Sequence, residues 1–199
     1  MLFYLIASLS YILGSVPFGL IITRAKGINL RIIGSGNIGA TNVMRTGHKI
    51  LAVMTLLFDI CKGLLSVYIA EQYLYEQYEI LICTFLVVLG HMFPIWIKCI
   101  NGGKGVATTL GILIGFDLSF HTYISLLFIL TWVIVFYIFR YSSLASLVAT
   151  IVIALLFLIV MSKEEFAMLL AIAILICCKH YRNIINIIQG TEYKFFKKI

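Results

Sequence analysis

Two strings of small and polar residues carry the chemistry this chain could do. The first runs Gly34-Ser35-Gly36-Asn37-Ile38-Gly39-Ala40-Thr41-Asn42-Val43-Met44-Arg45, the second Asn101-Gly102-Gly103-Lys104-Gly105-Val106-Ala107-Thr108-Thr109-Leu110-Gly111. Glycines leave backbone N–H groups bare, and Ser35, Asn37, Thr41 and Asn42 add side-chain donors. Converging donors with a cation suit phosphate oxygens. Arg45 offers a bidentate fork, and Lys104 stands among three glycines where a helix would start, uniting dipole, N–H groups and charge. The bland alternatives are a glycine turn capping the next helix and a stretch of small residues for close helix packing.

Neither string is a nucleotide motif. Gly34 to Gly39 match G-x-G-x-x-G formally, but no βαβ unit surrounds them and the next acid, Asp59, lies inside an apolar segment. In the second string Lys104 is followed by Gly105, so the P-loop spacing is absent. Lys179-His180-Tyr181-Arg182-Asn183 puts His180 and Asn183 three apart, on one face of a helix, where they could move a proton and polarise a carbonyl. Asp59 and Lys62 read as a mutually neutralising pair inside a membrane span, and His91 as a core histidine. Arg140 reads equally as a membrane-surface anchor or a site residue.

The elements that must position these residues are membrane helices. The chain is 62% hydrophobic and 12% charged, against about 45–50% and 25% in soluble domains. The expected fold is an all-α integral membrane protein, 1–199 forming one polytopic membrane domain. About seven transmembrane helices are expected, near 2–22, 50–70, 80–97, 105–119, 121–139, 144–161 and 165–180. The first span carries Pro17 and lacks a basic leader, so it reads as a retained helix. Thirteen of the 15 Lys and Arg residues fall on one side: Arg24, Lys26, Arg31, Arg45, Lys49, Lys98, Lys104, Arg140, Lys179, Arg182, Lys194, Lys197 and Lys198. That asymmetry predicts an external N-terminus, a cytoplasmic C-terminus and active-site loops on the cytoplasmic face. Bases split across short connections exclude a nucleic-acid stripe. The five cysteines have neither zinc nor disulfide-framework spacing.

Together, Gly34 to Arg45, Gly90 to Pro94 continuing into Gly102 to Gly111, and His180 with Asn183 resemble the bacterial acyl-phosphate-dependent glycerol-3-phosphate acyltransferases, the PlsY family. The resemblance spans essentially the whole chain. It implies an enzyme of the bacterial cytoplasmic (inner) membrane that moves a fatty acyl group from acyl phosphate to the 1-position of glycerol-3-phosphate. The products are lysophosphatidic acid and phosphate, in the first acylation of phospholipid synthesis. It implies catalytic roles for Ser35, Arg45, Lys104, His180 and Asn183. Substrate-binding roles fall on Gly34, Gly36, Asn37, Thr41, Asn42, Gly102, Gly103, Gly105 and Ser143, with Ser142 an alternative to Ser143. Gly102 to Gly105 are associated with the glycerol phosphate. Partners would be the two substrates, membrane lipid and an acyl-phosphate-producing enzyme, with no cofactor, metal or nucleic acid.

The chemistry is compatible. None of His48, His91, His121 and His180 has an acid five positions later, so the His-x4-Asp dyad of other glycerol phosphate acyltransferases is absent. An acyl phosphate is a mixed anhydride and needs less help than a thioester. Direct attack by the glycerol hydroxyl is expected, its proton leaving to a substrate phosphate or through His180. The rival readings are an organic-phosphate transporter, which should show repeat symmetry, a metal-dependent phosphoglycosyl or prenyl-phosphate transferase, which needs acidic ligands beyond Glu192, and a scaffolding protein.

Overall fold

The computed structural model describes residues 1–97 and 102–195. Lys98, Cys99, Asn101, Lys197 and Lys198, used in the sequence reading, lie outside them. Ten α-helices and one 3-10 turn account for the regular structure, with no strand among the described residues. The helices fall into two compact units, Met1–Ser119 and a second from Phe120 onward.

Each of the seven expected segments contains a helix, the third ending at Met92, short of the expected 97. In the first unit α1 (Leu2–Ser15) and α2 (Phe18–Arg24) make one apolar segment bent by 40°. Pro17 causes the bend: it has no N–H to donate, and it drives Val16 to an extended ψ of 115°. The 3-10 turn Leu30–Ile32 and the short α3 (Ala40–Met44) occupy the long connection to α4 (Lys49–Tyr73). Then follow α5 (Gln77–Met92) and α6 (Val106–Phe120). The second unit holds α7 (Ile124–Phe139), α8 (Ser142–Val160), α9 (Lys163–Lys179) and α10 (Tyr181–Ile188).

By length and apolar character α4 and α8 each suffice to cross a membrane, and α1 with α2 and α9 with α10 do so as bent pairs. The helices α5, α6 and α7 are apolar but shorter, at 16, 15 and 16 residues. Large apolar side chains such as Ile134, Ile138, Leu155 and Ile159 are exposed along α7 and α8. In water such faces would be a liability; against lipid they cost nothing.

Lipid gives apolar helices no hydrophobic reason to associate, so packing rests on close backbone approach at small residues. In the first unit α1 and α5 meet at Gly14, set against the Val87 backbone, and at Gly90, set against the Tyr11 carbonyl. Helices α4 and α6 meet in the same way, Gly63 on the Thr108 carbonyl and Gly111 on the Ile60 carbonyl. A Cβ on Gly111 would also lie 2.9 Å from Leu64 N. In the second unit Arg140 closes α7 in the left-handed region at φ 64°. The start of α9 is a capping box: Glu165 N donates to Ser162 Oγ at 3.2 Å, and Ser162 N to Glu165 Oε2 at 2.9 Å.

A side chain at the α4–α6 crossing has nowhere to go. Gly111→Val therefore destabilises the first unit by about 1–3 kcal/mol, read as a lower melting temperature in detergent; an unchanged transition contradicts the close approach.

Candidate active site

The first glycine string folds around one side chain. Asn42 is 2% exposed. Its Nδ2 donates to Asn37 O at 2.8 Å and to Leu30 O at 3.2 Å, while its Oδ1 accepts from Ser35 N at 3.1 Å. Below this hub Leu30, Ile38 and Val43 form an apolar cluster with Leu20 and Ala52. Two left-handed turns, Gly34 at φ 53° and Gly36 at φ 68°, let the chain double back. Arg45 then lies across Gly34: a Cβ there would stand 2.7 Å from Arg45 Cδ and 3.0 Å from Nη1.

Three of the backbone donors expected to face a phosphate are used inside the loop. Gly36 N donates to Ile33 O at 2.9 Å, Ser35 N goes to Asn42, and Ile38 N goes to Asn37 Oδ1 at 2.9 Å. The string thus presents side chains: Ser35 is exposed, and Asn37, Thr41 and Arg45 are half-buried. Arg31 braces the outer turn, its Nη1 donating to Gly36 O at 3.2 Å. Partial burial, together with neighbouring Arg24, holds its guanidinium below its ordinary value.

The second string sits on the end of α5. Gly102 packs on the His91 and Met92 carbonyls, Gly103 N donates to His91 O at 2.9 Å, and a Cβ on Gly103 would meet the His91 ring. Gly105 is buried at φ 84°, where a Cβ would also meet the side chains of Met92 and Val88. These glycines make a turn pressed flat on α5, on which half-buried Lys104 stands two residues before α6 begins. Ile97 packs against the apolar cluster under the first string. Both glycine strings therefore belong to the first unit.

The second unit gathers Ser143, Asn183 and a residue the sequence reading did not place in the site. Glu192 Oε1 accepts from Ser143 Oγ and from Asn183 Nδ2, both at 2.8 Å, and Glu192 is only 8% exposed. A carboxylate can only accept, so it fixes which end of the Asn183 amide faces it. Gly190 at φ 69° brings Glu192 back, with Thr191 N and Glu192 N bonded to Asn186 O at 2.8 and 3.1 Å. A left-handed glycine after an amphipathic helix was the available signal. The structure favours Ser143 over Ser142 as the buried hydroxyl.

His180 stands at the 59° bend between α9 and α10 and is 2% exposed. Its Nδ1 lies 2.8 Å from Ile176 O. A carbonyl accepts, so Nδ1 carries the proton and the lone pair of the neutral ring is on Nε2.

The sequence profile described as glycerol-3-phosphate acyltransferase matches residues 4–190 of this chain. The chain belongs to the glycerol-3-phosphate acyltransferase family. It is 55% identical over 195 residues to the glycerol-3-phosphate acyltransferase of Wolbachia pipientis wMel, with 98% of both chains covered. With that of Ehrlichia canis (strain Jake) it shares 45% identity over 187 residues, 94% of this chain and 95% of the relative. Among solved structures it is similar to PlsY (YgiH), an integral membrane glycerol 3-phosphate acyltransferase, in its glycerol 3-phosphate form. The TM-score is 0.91 at 34% identity, over 98% of this chain and 96% of that one. The lysophosphatidic acid form of PlsY gives a TM-score of 0.89 over the same shares. For this family member the integral-membrane, all-helical reading of the sequence stands.

The Glu192 network predicts coupled effects. Glu192→Ala leaves Ser143 and Asn183 facing a void and costs about 1–3 kcal/mol in stability. In a double-mutant cycle with Asn183→Ala the losses are non-additive by about 0.5–3 kcal/mol; simple additivity of melting shifts contradicts the contact.

Proposed function

We propose that this chain transfers a fatty acyl group from acyl phosphate to the 1-hydroxyl of glycerol-3-phosphate, releasing lysophosphatidic acid and inorganic phosphate. The observation that carries the reading is Lys104, held on a tight glycine turn just before the start of α6, where a cation and the positive end of a helix come from adjacent residues. Membership of the family, and relatives named for the same acceptor, support it. Lys104 takes the phosphate of glycerol-3-phosphate; Arg45, with Ser35, takes the phosphate of the acyl donor. Holding two dianions side by side needs two cations, and the payoff is proximity of hydroxyl and carbonyl.

The hydroxyl oxygen attacks the acyl carbon, the bond from that carbon to the phosphate oxygen breaks, and the leaving phosphate keeps the electron pair. Arg45 and Ser35 stabilise its charge as it departs. Asn37 and Thr41 line the first string as polar contacts. Asn42, Gly34, Gly36, Gly102, Gly103 and Gly105 serve by giving the two turns their shape. In the second unit Asn183, oriented by Glu192 and backed by Ser143, is assigned to the acyl carbonyl. His180 is assigned to the hydroxyl proton through Nε2, the ring nitrogen that does not face the Ile176 carbonyl. The acyl donor reaches the site from the inner leaflet of the bacterial cytoplasmic membrane and glycerol-3-phosphate from the cytoplasm, the side on which the basic connections lie. An acyl-phosphate-producing enzyme would supply the donor.

Purified protein given palmitoyl phosphate and labelled glycerol-3-phosphate, without CoA, carrier protein or added metal, should form lysophosphatidic acid. Lys104→Ala and Arg45→Ala should each lower turnover about 10²–10³-fold, or roughly 3 kcal/mol. No product from folded wild-type protein overturns the reading. His180→Ala should cost about 10²–10⁴-fold; near-normal turnover would move the proton to a substrate phosphate.

A further inference from the structure

Beneath the Lys104 turn lies a charged cluster that the acyl transfer as described does not use. Lys62 is 1% exposed and its ammonium has three acceptors within reach. Nζ is 2.8 Å from Asp59 Oδ1, 2.6 Å from His91 Nδ1 and 3.4 Å from Val16 O. Asp59 Oδ1 is also 3.5 Å from His91 Nδ1. An ammonium only donates, so Nδ1 accepts and the proton of the neutral imidazole is on Nε2. That Nε2 edge is the part of the ring a Cβ on Gly103 would strike. The His91 carbonyl meanwhile receives Gly103 N–H at 2.9 Å. Gly103 is therefore held by the same residue on two sides, and Lys104 is the next residue in the chain.

We infer that Asp59, Lys62 and His91 are positioning residues for the acyl transfer: they seat the Gly102–Gly105 turn and so set where the Lys104 ammonium stands. The geometry says more than that the cluster is stable. A buried ion pair is weak evidence for stability, since apolar replacements of similar volume often serve as well. What an apolar trio would not supply is a ring fixed in rotation by a polar partner at Nδ1, with its other edge under a glycine that has no room for a methyl. The Val16 carbonyl joins the Pro17 break of α1 and α2 to the same ammonium, so the turn's seat is tied to α4, α5 and that break together.

The inference rests on the assignment of Lys104 to glycerol phosphate, and the test separates the two. Asp59→Asn/Lys62→Gln removes both charges at once, so neither is left buried alone. His91→Asn keeps an amide near the Nδ1 position for Lys62 and removes the ring edge under Gly103. Steady-state kinetics with palmitoyl phosphate and glycerol-3-phosphate, alongside melting temperatures in detergent, give the readout. Each variant should raise KM for glycerol-3-phosphate roughly 10- to 100-fold, the scale of a charge displaced by about 1 Å, and leave KM for palmitoyl phosphate within about twofold. On a Lys104→Ala background they should add little, because the effect passes through that ammonium. Should the double variant not fold, His91→Asn alone decides. Unchanged KM values in folded protein, or both KM values moving together with the melting temperature, overturn the inference while Lys104 keeps its assignment. If Lys104→Ala itself leaves KM for glycerol-3-phosphate unmoved, that assignment falls and the positioning role falls with it.

Discussion

A lysine ammonium among apolar helices has to find an acceptor for each of its protons, and Lys62 finds them on three separate pieces of chain. Asp59 comes from its own helix, one turn back; His91 comes from the end of α5; the Val16 carbonyl comes from the break that Pro17 makes between α1 and α2. Leaving a buried charge without its partners costs several kcal/mol, so this single side chain constrains where three elements end. The glycine turn of the second string rests on the result. Its position thus depends on buried electrostatics as well as on the glycines of the turn itself.

The glycines work differently from the simplest expectation. Bare N–H groups suggest a cradle for phosphate, yet Ser35, Gly36, Ile38 and Gly103 all give their N–H groups to partners within the protein. Gly34, Gly36 and Gly105 supply left-handed backbone, and Gly103 supplies room for a histidine ring. In the proposed reaction the side chains of Ser35, Arg45 and Lys104 meet the substrates, carried on loops braced by these internal bonds. Rigidity of that kind suits a reaction whose main demand is holding two like-charged substrates together.

Hydropathy and turn chemistry made much of this readable in advance. Apolar runs marked all seven segments that hold the main helices, but the first, read as one retained helix, is bent by 40° at Pro17. The two glycine strings and the His180–Asn183 pair were visible because polar residues are conspicuous in such a chain. Long-range partners were not. Glu192 reaches Ser143 across 49 positions, and Lys62 reaches His91 across 29. Spacing along one helix reveals the Asp59–Lys62 pair at i, i+3, but a third member on another helix has no periodicity to betray it. The same limit hid Asn42's part as a hub, since its partners Leu30 and Ser35 are set by how the loop closes, not by local pattern.

The account stands or falls on Lys104 as the glycerol phosphate ligand. Isothermal titration of glycerol-3-phosphate into purified protein, without acyl donor and at low salt, measures that contact apart from turnover. Saturable one-site binding by the wild type that disappears in Lys104→Ala and weakens as salt is raised is the result expected of a cation–dianion contact. Equal isotherms for the two proteins would contradict it, and would place the phosphate elsewhere in the molecule.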